Sequence, residues 1–127
     1  MATNQYERQN AKYIMVDLGI ANIGTGNGVT ATLPRGAQIV GVGLNTVTAF
    51  NSATTATGTI TDGTTAFVNA QDVKTTGMET VAVAGKFYPD GSTITFSLAE
   101  TGAAATAGRA IGYVAYIQLD VCCSIQE

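Results

Sequence analysis

The sequence predicts an all-β protein folded as a single antiparallel β-sandwich. Seven or eight short apolar or alternating runs are separated by clusters of Gly, Pro, Asn and Asp, and no segment has the spacing of a useful amphipathic helix. A chain of 127 residues, 46% of them apolar, is long enough to bury a core without a metal or a disulfide framework. The two-residue alternation of apolar and polar side chains does not by itself distinguish a sandwich from a closed barrel.

The chain opens with a polar segment, residues 1–10, that has no apolar periodicity. We therefore expect an N-terminal arm here and a sandwich domain at 11–127. The segment has no charged-then-apolar leader, so no secretory signal is expected. From Ala11 the alternation predicts a strand with Ile14, Val16, Leu18 and Ile20 on one face and Tyr13, Met15 and Asp17 on the other.

Residues 24–28 contain three glycines, which predict a loop. A dinucleotide-binding loop would open a helix at this point. Here a short strand, residues 29–33, and then Pro34 follow, so the resemblance to a nucleotide loop is spurious.

The longest apolar run begins after the turn Pro34-Arg35-Gly36 and ends before a loop at residues 51–55. One face of the predicted strand is assigned to Val40, Val42, Leu44, Thr46, Thr48 and Phe50, of which Val40, Val42, Leu44 and Phe50 are expected in the core. The other face, Gly41, Gly43 and Asn45, is flat enough for close approach by another strand or subunit.

The middle of the chain alternates strands with tight turns. Residues 58–61 predict a strand, and Asp62-Gly63 is typical of a hairpin turn. Residues 66–74 have weaker signals and could hold a helical turn. Residues 81–87 predict another strand.

Pro89-Asp90-Gly91 predicts the clearest turn. The strand that follows alternates, with Ile94, Phe96 and Leu98 on its apolar face. A loop is expected at residues 100–108, and a last strand from Arg109 to about Ile125. Its core-facing row is predicted at odd positions, which are Ile111, Tyr113, Ala115, Ile117, Leu119, Val121 and Ile125. The even positions, which include Gln118, Asp120, Ser124 and Gln126, would meet solvent or a partner.

Catalytic chemistry finds no support in the residue types present. The chain has no histidine, which excludes Ser/His/Asp and Cys/His centres. Its aspartates, Asp62, Asp72, Asp90 and Asp120, are spaced as turn and surface residues, and none lies in a run of oxygen ligands. We expect no enzyme activity, no metal and no cofactor.

Other ligand classes are disfavoured on similar grounds. The net charge is −3 and the six cations are scattered, so nucleic acid is not an expected partner. No apolar stretch is long enough to span a membrane as a helix. Tyr113 and Tyr116 fall on opposite faces of the last strand, and Tyr88 is the only plausible loop aromatic for a carbohydrate; packing in its turn is the preferred interpretation.

Only 12% of the residues are charged, so much of the surface must consist of Thr, Ser, Asn, Gly and Ala. Such a surface suits an ordinary β domain with a Thr-rich solvent face, and it also suits an assembly. Cys122 and Cys123 are adjacent on a strand, where their side chains point apart. Free thiols in a reducing cytosol are expected, with an intersubunit disulfide as the alternative.

Taken together, the segments Leu33-Pro34-Arg35-Gly36-Ala37, Thr48-Ala49-Phe50-Asn51-Ser52, Ile60-Thr61-Asp62-Gly63 and Phe87-Tyr88-Pro89-Asp90-Gly91 make the chain resemble small head proteins of tailed bacteriophages, the capsid decoration or cement proteins. The resemblance covers about residues 11–120 and is a pattern of turns and strands. It implies a jelly-roll-like sandwich that binds the outside of an icosahedral shell as a homodimer or homotrimer. There it would clamp neighbouring major capsid subunits, in a virion made in the host cytoplasm.

On this interpretation the arm and two loops contact the capsid. The expected contact residues are Thr3, Asn4, Gln5, Tyr6, Arg8, Thr25, Asn27, Thr101 and Thr106. Two alternatives stay open: a phage tail, neck or fibre domain that binds a host glycan or another virion protein, and a cell-surface adhesion domain.

Overall fold

The computed structural model describes residues 11–81 and 86–118, and it is a sandwich of two antiparallel β-sheets. The strands are β1 (Lys12–Gly19), β2 (Val29–Leu33), β3 (Ala37–Thr48), β4 (Thr55–Thr61), β5 (Ala66–Asp72), β6 (Gly77–Val81), β7 (Phe87–Tyr88), β8 (Ser92–Thr101) and β9 (Arg109–Gln118). The predicted arm and the cysteine pair, Cys122 and Cys123, lie outside the described residues, so the predictions for them stay predictions.

The strand order is that of a jelly roll. The first sheet has the order β1-β9-β3-β6, with the short β7 also paired to β3, and the second has the order β2-β8-β4-β5. Without β7, each sheet has four strands, and the chain crosses between the sheets at every connection except the β4–β5 hairpin, as in this double-sheet fold. The predicted jelly-roll-like antiparallel sandwich is confirmed.

The core lies between the two sheets and is apolar. Its most deeply buried large side chains include Phe50, Phe96, Leu18, Leu33, Ile39, Leu44, Ile60 and Ile94. The predicted faces of β1 and β8 are confirmed: Val16 and Leu18 are buried, and so are Ile94, Phe96 and Leu98. Ile20 was predicted on the same face but is exposed, because β1 ends at Gly19 and a single 3-10 turn, Ile20–Asn22, follows.

A β-bulge in β3 overturns part of the predicted core. Ile39 pairs with Tyr116 and Gly41 with Ala115, so Val40 is an extra residue between adjacent pairs. Before the bulge the odd-numbered residues of β3 face the core, and after it the even-numbered residues do. Val42, Leu44, Thr46 and Phe50 are buried as predicted, but Val40 is 46% exposed, and Thr48 is exposed beyond a second irregularity.

The core face of β9 is also the opposite of the prediction. Ala110, Gly112, Val114 and Tyr116 face the core, whereas Ile111, Tyr113, Ala115 and Ile117 lie on the outer face. A glycine fits at the inward position 112, because the ring of Phe96 on the other sheet occupies the space that a Cβ would need. The apolar odd row therefore belongs to the surface of the first sheet.

Residues 66–74 do not form the predicted helical turn, because β5 pairs with β4 there as a hairpin. Its alternation is weak because it is irregular: the register shifts twice and Ala70 has φ 51°. The predicted turn at Asp62 is confirmed, with Oδ1 of Asp62 accepting hydrogen bonds from the N–H groups of Thr64 and Thr65. The strand predicted at 81–87 corresponds to the end of β6 and the start of β7, and residues 82–85 lie outside the described part.

Candidate interaction surfaces

The outer face of the second sheet is a continuous array of hydroxyl side chains. On β2, β8 and β4 the outward hydroxyl residues are Thr30, Thr32, Thr93, Thr95, Ser97, Thr55, Thr57, Thr59 and Thr61. Ala99 of β8 and Asp72 of β5 flank Thr57 on the same face. The hydroxyl residues are aligned across strands: Thr95 lies between Thr30 and Thr61. This face, called the threonine face below, combines methyl and hydroxyl groups, and the hydroxyl positions bear no charge.

The outer face of the first sheet is mainly apolar, with Asn45 between Ile111 and Met78 and Gln38 beside Ile117 among its polar residues. The large exposed apolar side chains of this sheet all lie on it or at its margins, with exposed fractions from 42% to 67%; they are Tyr13, Met15, Val40, Val47, Met78 and Phe87. Ile111, Tyr113, Ala115 and Ile117 of β9 lie between them. The two faces of the sandwich therefore differ in chemistry, and we call this one the apolar face.

Tyr113 covers Gly43 at the middle of the apolar face. A Cβ at Gly43 would collide with the Tyr113 ring, and the rings of Tyr13 and Tyr113 are 6.4 Å apart between centroids with a tilt of 50°. The predicted close approach of another subunit at Gly43 is therefore wrong, because a side chain of the same chain occupies the space. Gly41 stays accessible, with only Cβ of Ala115 near the position of its missing side chain.

An ion pair closes one corner of the apolar face. Nε of Arg109 donates to Oδ1 of Asp17 at 3.0 Å, and Nη2 donates to Oδ2 at 3.1 Å. The hydrogen bond and charge of Arg109 hold the pKa of Asp17 below its usual value, and Asp17 in turn raises the pKa of Arg109. The two charges on this corner therefore neutralise each other.

The four predicted contact residues in loops lie at one end of the sandwich. Gly19 pairs with Arg109, so the loop after β1, with Thr25 and Asn27, and the loop before β9, with Thr106, are both at this end, as is Thr101 at the end of β8. The described chain begins at the opposite end, where Lys12 pairs with Tyr116. The arm residues Thr3, Asn4, Gln5, Tyr6 and Arg8 lie outside the described residues.

Intramolecular hydrogen bonds hold these loops in place. Oδ1 of Asn51 accepts from the N–H groups of Thr106 and Ala107, at 2.8 and 3.1 Å, and Nδ2 of Asn51 donates to Oγ1 of Thr106 at 3.0 Å. Oε1 of Glu100 accepts from the N–H of Ala105 at 2.9 Å. The side chain of Asn27 donates to the carbonyl of Ile23, and the Thr101 and Thr55 hydroxyl oxygens lie 2.6 Å apart. The loops are thus ordered before any partner is present.

Sequence reasoning missed Asn51 as the residue that orders the second loop. An Asx residue in a turn is a recognisable signal, but its partners are 55 and 56 residues away. It also missed Met78 and Phe87, whose place on the apolar face depends on their pairing with β3.

Tyr88 packs in its turn, as preferred from the sequence. It is 8% exposed, and its ring is 5.5 Å from Nζ of Lys86. Lys86 also pairs with Oδ2 of Asp62 at 3.4 Å. Burial and the nearby Asp62 carboxylate raise the pKa of Tyr88, so the phenol is a neutral hydrogen-bond donor in this cluster.

The depressions of the described surface are open and weakly polar. One of them lies beside the loop at 24–28 and is lined by residues such as Thr25, Thr30, Thr95 and Ser97. Within residues 11–81 and 86–118, no three acidic or thiol side chains come close enough together to hold a metal ion. No helix in that part of the chain could span a membrane.

Comparison with known proteins finds likeness at the level of structure. No family model matches the chain, and no curated protein matches it. A chain in the capsid asymmetric unit of cyanophage Pam1 has a TM-score of 0.68 at 22% identity, covering 92% of this chain and 91% of that one. A chain in the acidic stable capsid structure of Helicobacter pylori bacteriophage KHP30 has a TM-score of 0.57 at 17% identity, covering 84% and 86%. At these identities the likeness shows a shared fold.

Proposed function

We propose that this chain is a non-enzymatic virion structural protein that decorates a phage head. It binds the outer surface of the capsid, as a homodimer or homotrimer, and clamps neighbouring major capsid subunits. The observation that supports this most strongly is the likeness to two chains of phage capsid structures, which extends over at least 84% of both chains in each comparison. The similarity is thus to chains of about the same length as this one, and not to one domain of a much larger shell protein.

The chemistry of the surface fits such a role. The hydroxyl positions of β2, β4 and β8 on the threonine face bear no charge, and Asp72 lies at its β5 edge. Little charge would therefore have to be desolvated on association. Many copies bound to a closed lattice make individually weak contacts durable, because each bound subunit raises the effective concentration of the others.

The proposed capsid contacts are the arm residues Thr3, Asn4, Gln5, Tyr6 and Arg8, and the loop residues Thr25, Asn27, Thr101 and Thr106. Asn51 and Glu100 already order the loop at 102–108, and Asn27 in the loop at 24–28 donates to the carbonyl of Ile23. Binding through these loops would therefore cost little conformational entropy. In this proposal the arm reaches across a subunit boundary of the capsid.

The test uses heads of the phage that encodes this chain, prepared without it. Purified protein is added back, its position is determined by electron microscopy, and the temperature of head disruption is measured. We expect density on the outer shell across subunit boundaries, and heads that withstand a higher temperature. Two results would instead support the alternative of a tail, neck or fibre domain. One is density on a tail or neck, and the other is saturable glycan binding by the isolated protein while bare heads stay unoccupied.

A further inference from the structure

The apolar face has the form of a surface that another protein covers. It is built from rows across the first sheet, and each row places residues of neighbouring strands side by side. One row contains Met15, Tyr113 and Gly43, and the next contains Tyr13, Ala115 and Gly41. Monomeric proteins rarely expose a contiguous apolar area of this kind.

The apolar face has both large projecting side chains and small residues, as a self-complementary contact needs. Tyr13 and Met15 on β1 form a ridge at one side, and Met78 on β6 stands at the other, each more than 60% exposed. Between them lie Gly41, which has no side chain, and Ala115, which is 6% exposed. A two-fold axis placed between the β1 ridge and Gly41 would bring the ridge of one copy over the small residues of the other, as an isologous interface requires.

Charge does not oppose contact between two like faces. Of the described outward strand positions of the first sheet, Asp17 and Arg109 bear charges, and they are paired with each other at 3.0 Å on one corner. Two like faces with an unbalanced charge would repel each other, whereas two neutral apolar faces lose only water on contact.

The apolar face is also large enough for a protein–protein interface. Four strands spaced by about 4.8 Å, over seven residues at about 3.4 Å each, give roughly 500 Å² in projection. A pleated surface with projecting side chains has a larger accessible area, which approaches the ~800 Å² per partner of a standard interface.

We infer that the apolar face is the surface through which this chain binds a second copy of itself. The contact centres on Met15, Tyr113 and Met78, and it leaves the threonine face and the loops at 20–28 and 102–108 exposed. This assignment does not depend on a place in the virion, since it concerns the isolated protein in solution.

The experiment measures the mass of the full-length protein by light scattering over a range of concentrations. We expect at least twice the 13.0 kDa of one chain. Met15→Lys and Met78→Lys place a charge on opposite sides of the face and should each return the mass to that of one chain. Thr30→Lys and Thr93→Lys, at exposed positions on the threonine face, are the matched controls and should keep the wild-type mass.

Circular dichroism of each variant shows whether the fold is kept, and hydrogen exchange of the wild type gives an independent measurement. Protection in β1, β3 and β9 should increase with protein concentration. The inference is overturned if the wild type has the mass of a single chain at every concentration. This includes the case in which the apolar face is protected from exchange at all concentrations because the chain's own terminal segments cover it. The inference is equally overturned if both Met variants keep the oligomer, or if the Thr variants dissociate it as strongly. Binding to heads is measured separately, so a monomeric wild type would remove the homodimer or homotrimer from the proposed function but would leave binding to the head as a separate question.

Discussion

The phenolic hydroxyl of Tyr88 donates a hydrogen bond of 2.7 Å to Oδ2 of Asp62, which joins β7 to the turn between β4 and β5. The same carboxylate accepts two backbone hydrogen bonds within its own turn and faces Nζ of Lys86. Burial alone would raise the pKa of Asp62. The hydrogen bonds from Thr65, Tyr88 and Thr64 and the charge of Lys86 outweigh that effect and hold the pKa of Asp62 at about 2.

This carboxylate should make the fold sensitive to acid. Since the pKa of Asp62 is lowered from 3.8 to about 2 on folding, its stabilising contribution is present above pH 3.8 and is lost as the pH falls towards 2. The contribution is roughly 2 kcal/mol. Denaturant titrations from pH 6 to pH 2 should show this loss in the wild type and a shallower decline in Asp62→Asn. Asp90→Asn, at an exposed turn, is the control, and an unchanged slope in Asp62→Asn would contradict the assignment.

Tyr88→Phe removes the hydroxyl and leaves the ring in place. The free energy of unfolding should fall by about 1.5–3 kcal/mol, the range for a hydrogen bond to a charged group. Tyr13→Phe, on an exposed ring, should change it by less than ~0.5 kcal/mol. Chemical denaturation of both variants checks this difference, and equal losses would show that the Tyr88 hydroxyl has no special role.

Gly112→Ala tests the packing between the two sheets. Its Cβ would collide with the ring of Phe96, which has no exposed surface and cannot move aside. We expect a loss of about 1–3 kcal/mol from overpacking. Gly41→Ala lies in a strand of the same sheet, where a Cβ would meet only Ala115 at an ordinary 3.9 Å, and it should be nearly neutral. Thermal unfolding of Gly112→Ala and Gly41→Ala measures this difference. Equal stabilities of the two variants would contradict the close packing of Gly112 against Phe96.

Asn51→Ala should loosen the loop at 102–108. It removes three hydrogen bonds to Thr106 and Ala107, and the expected cost is about 1–3 kcal/mol because backbone N–H groups lose their acceptor. Hydrogen exchange should become faster at residues 102–108 and stay unchanged in β8. Asn69→Ala, on an exposed position of β5, is the control; equal exchange rates in the two variants would argue against this role for Asn51.

Removal of residues 1–10 tests the proposed arm. We expect lower occupancy on heads at a given protein concentration, because the arm's contacts with the capsid are lost, and an unchanged melting temperature of the isolated protein. Cryo-electron microscopy and calorimetry measure the two quantities. Undiminished occupancy would remove the arm from the contact, whereas a lower melting temperature would show that it belongs to the fold.

Local patterns in the sequence were sufficient wherever a turn or a one-sided alternation was unambiguous. The predicted strand at 29–33 coincides with β2, and the alternation of Ile94, Phe96 and Leu98 identified the core face of β8. The turns at Asp62 and at Pro89-Asp90-Gly91 follow from residues whose backbone preferences are strong. The low charge of the chain also indicated surfaces of hydroxyl and small apolar groups.

The tertiary structure decided which side of an ambiguous strand is buried. In β9 both rows are apolar, so the alternation alone could not show that Val114 faces inward and Tyr113 outward; the position of Phe96 on the opposing sheet decides it. The bulge at Val40 reverses the inward face of β3, and it exists only because β9 offers one fewer residue there. Strand order then brings Met15, Tyr113 and Met78 onto one surface, a juxtaposition that depends on cross-strand pairing between distant segments and leaves no signal in local periodicity.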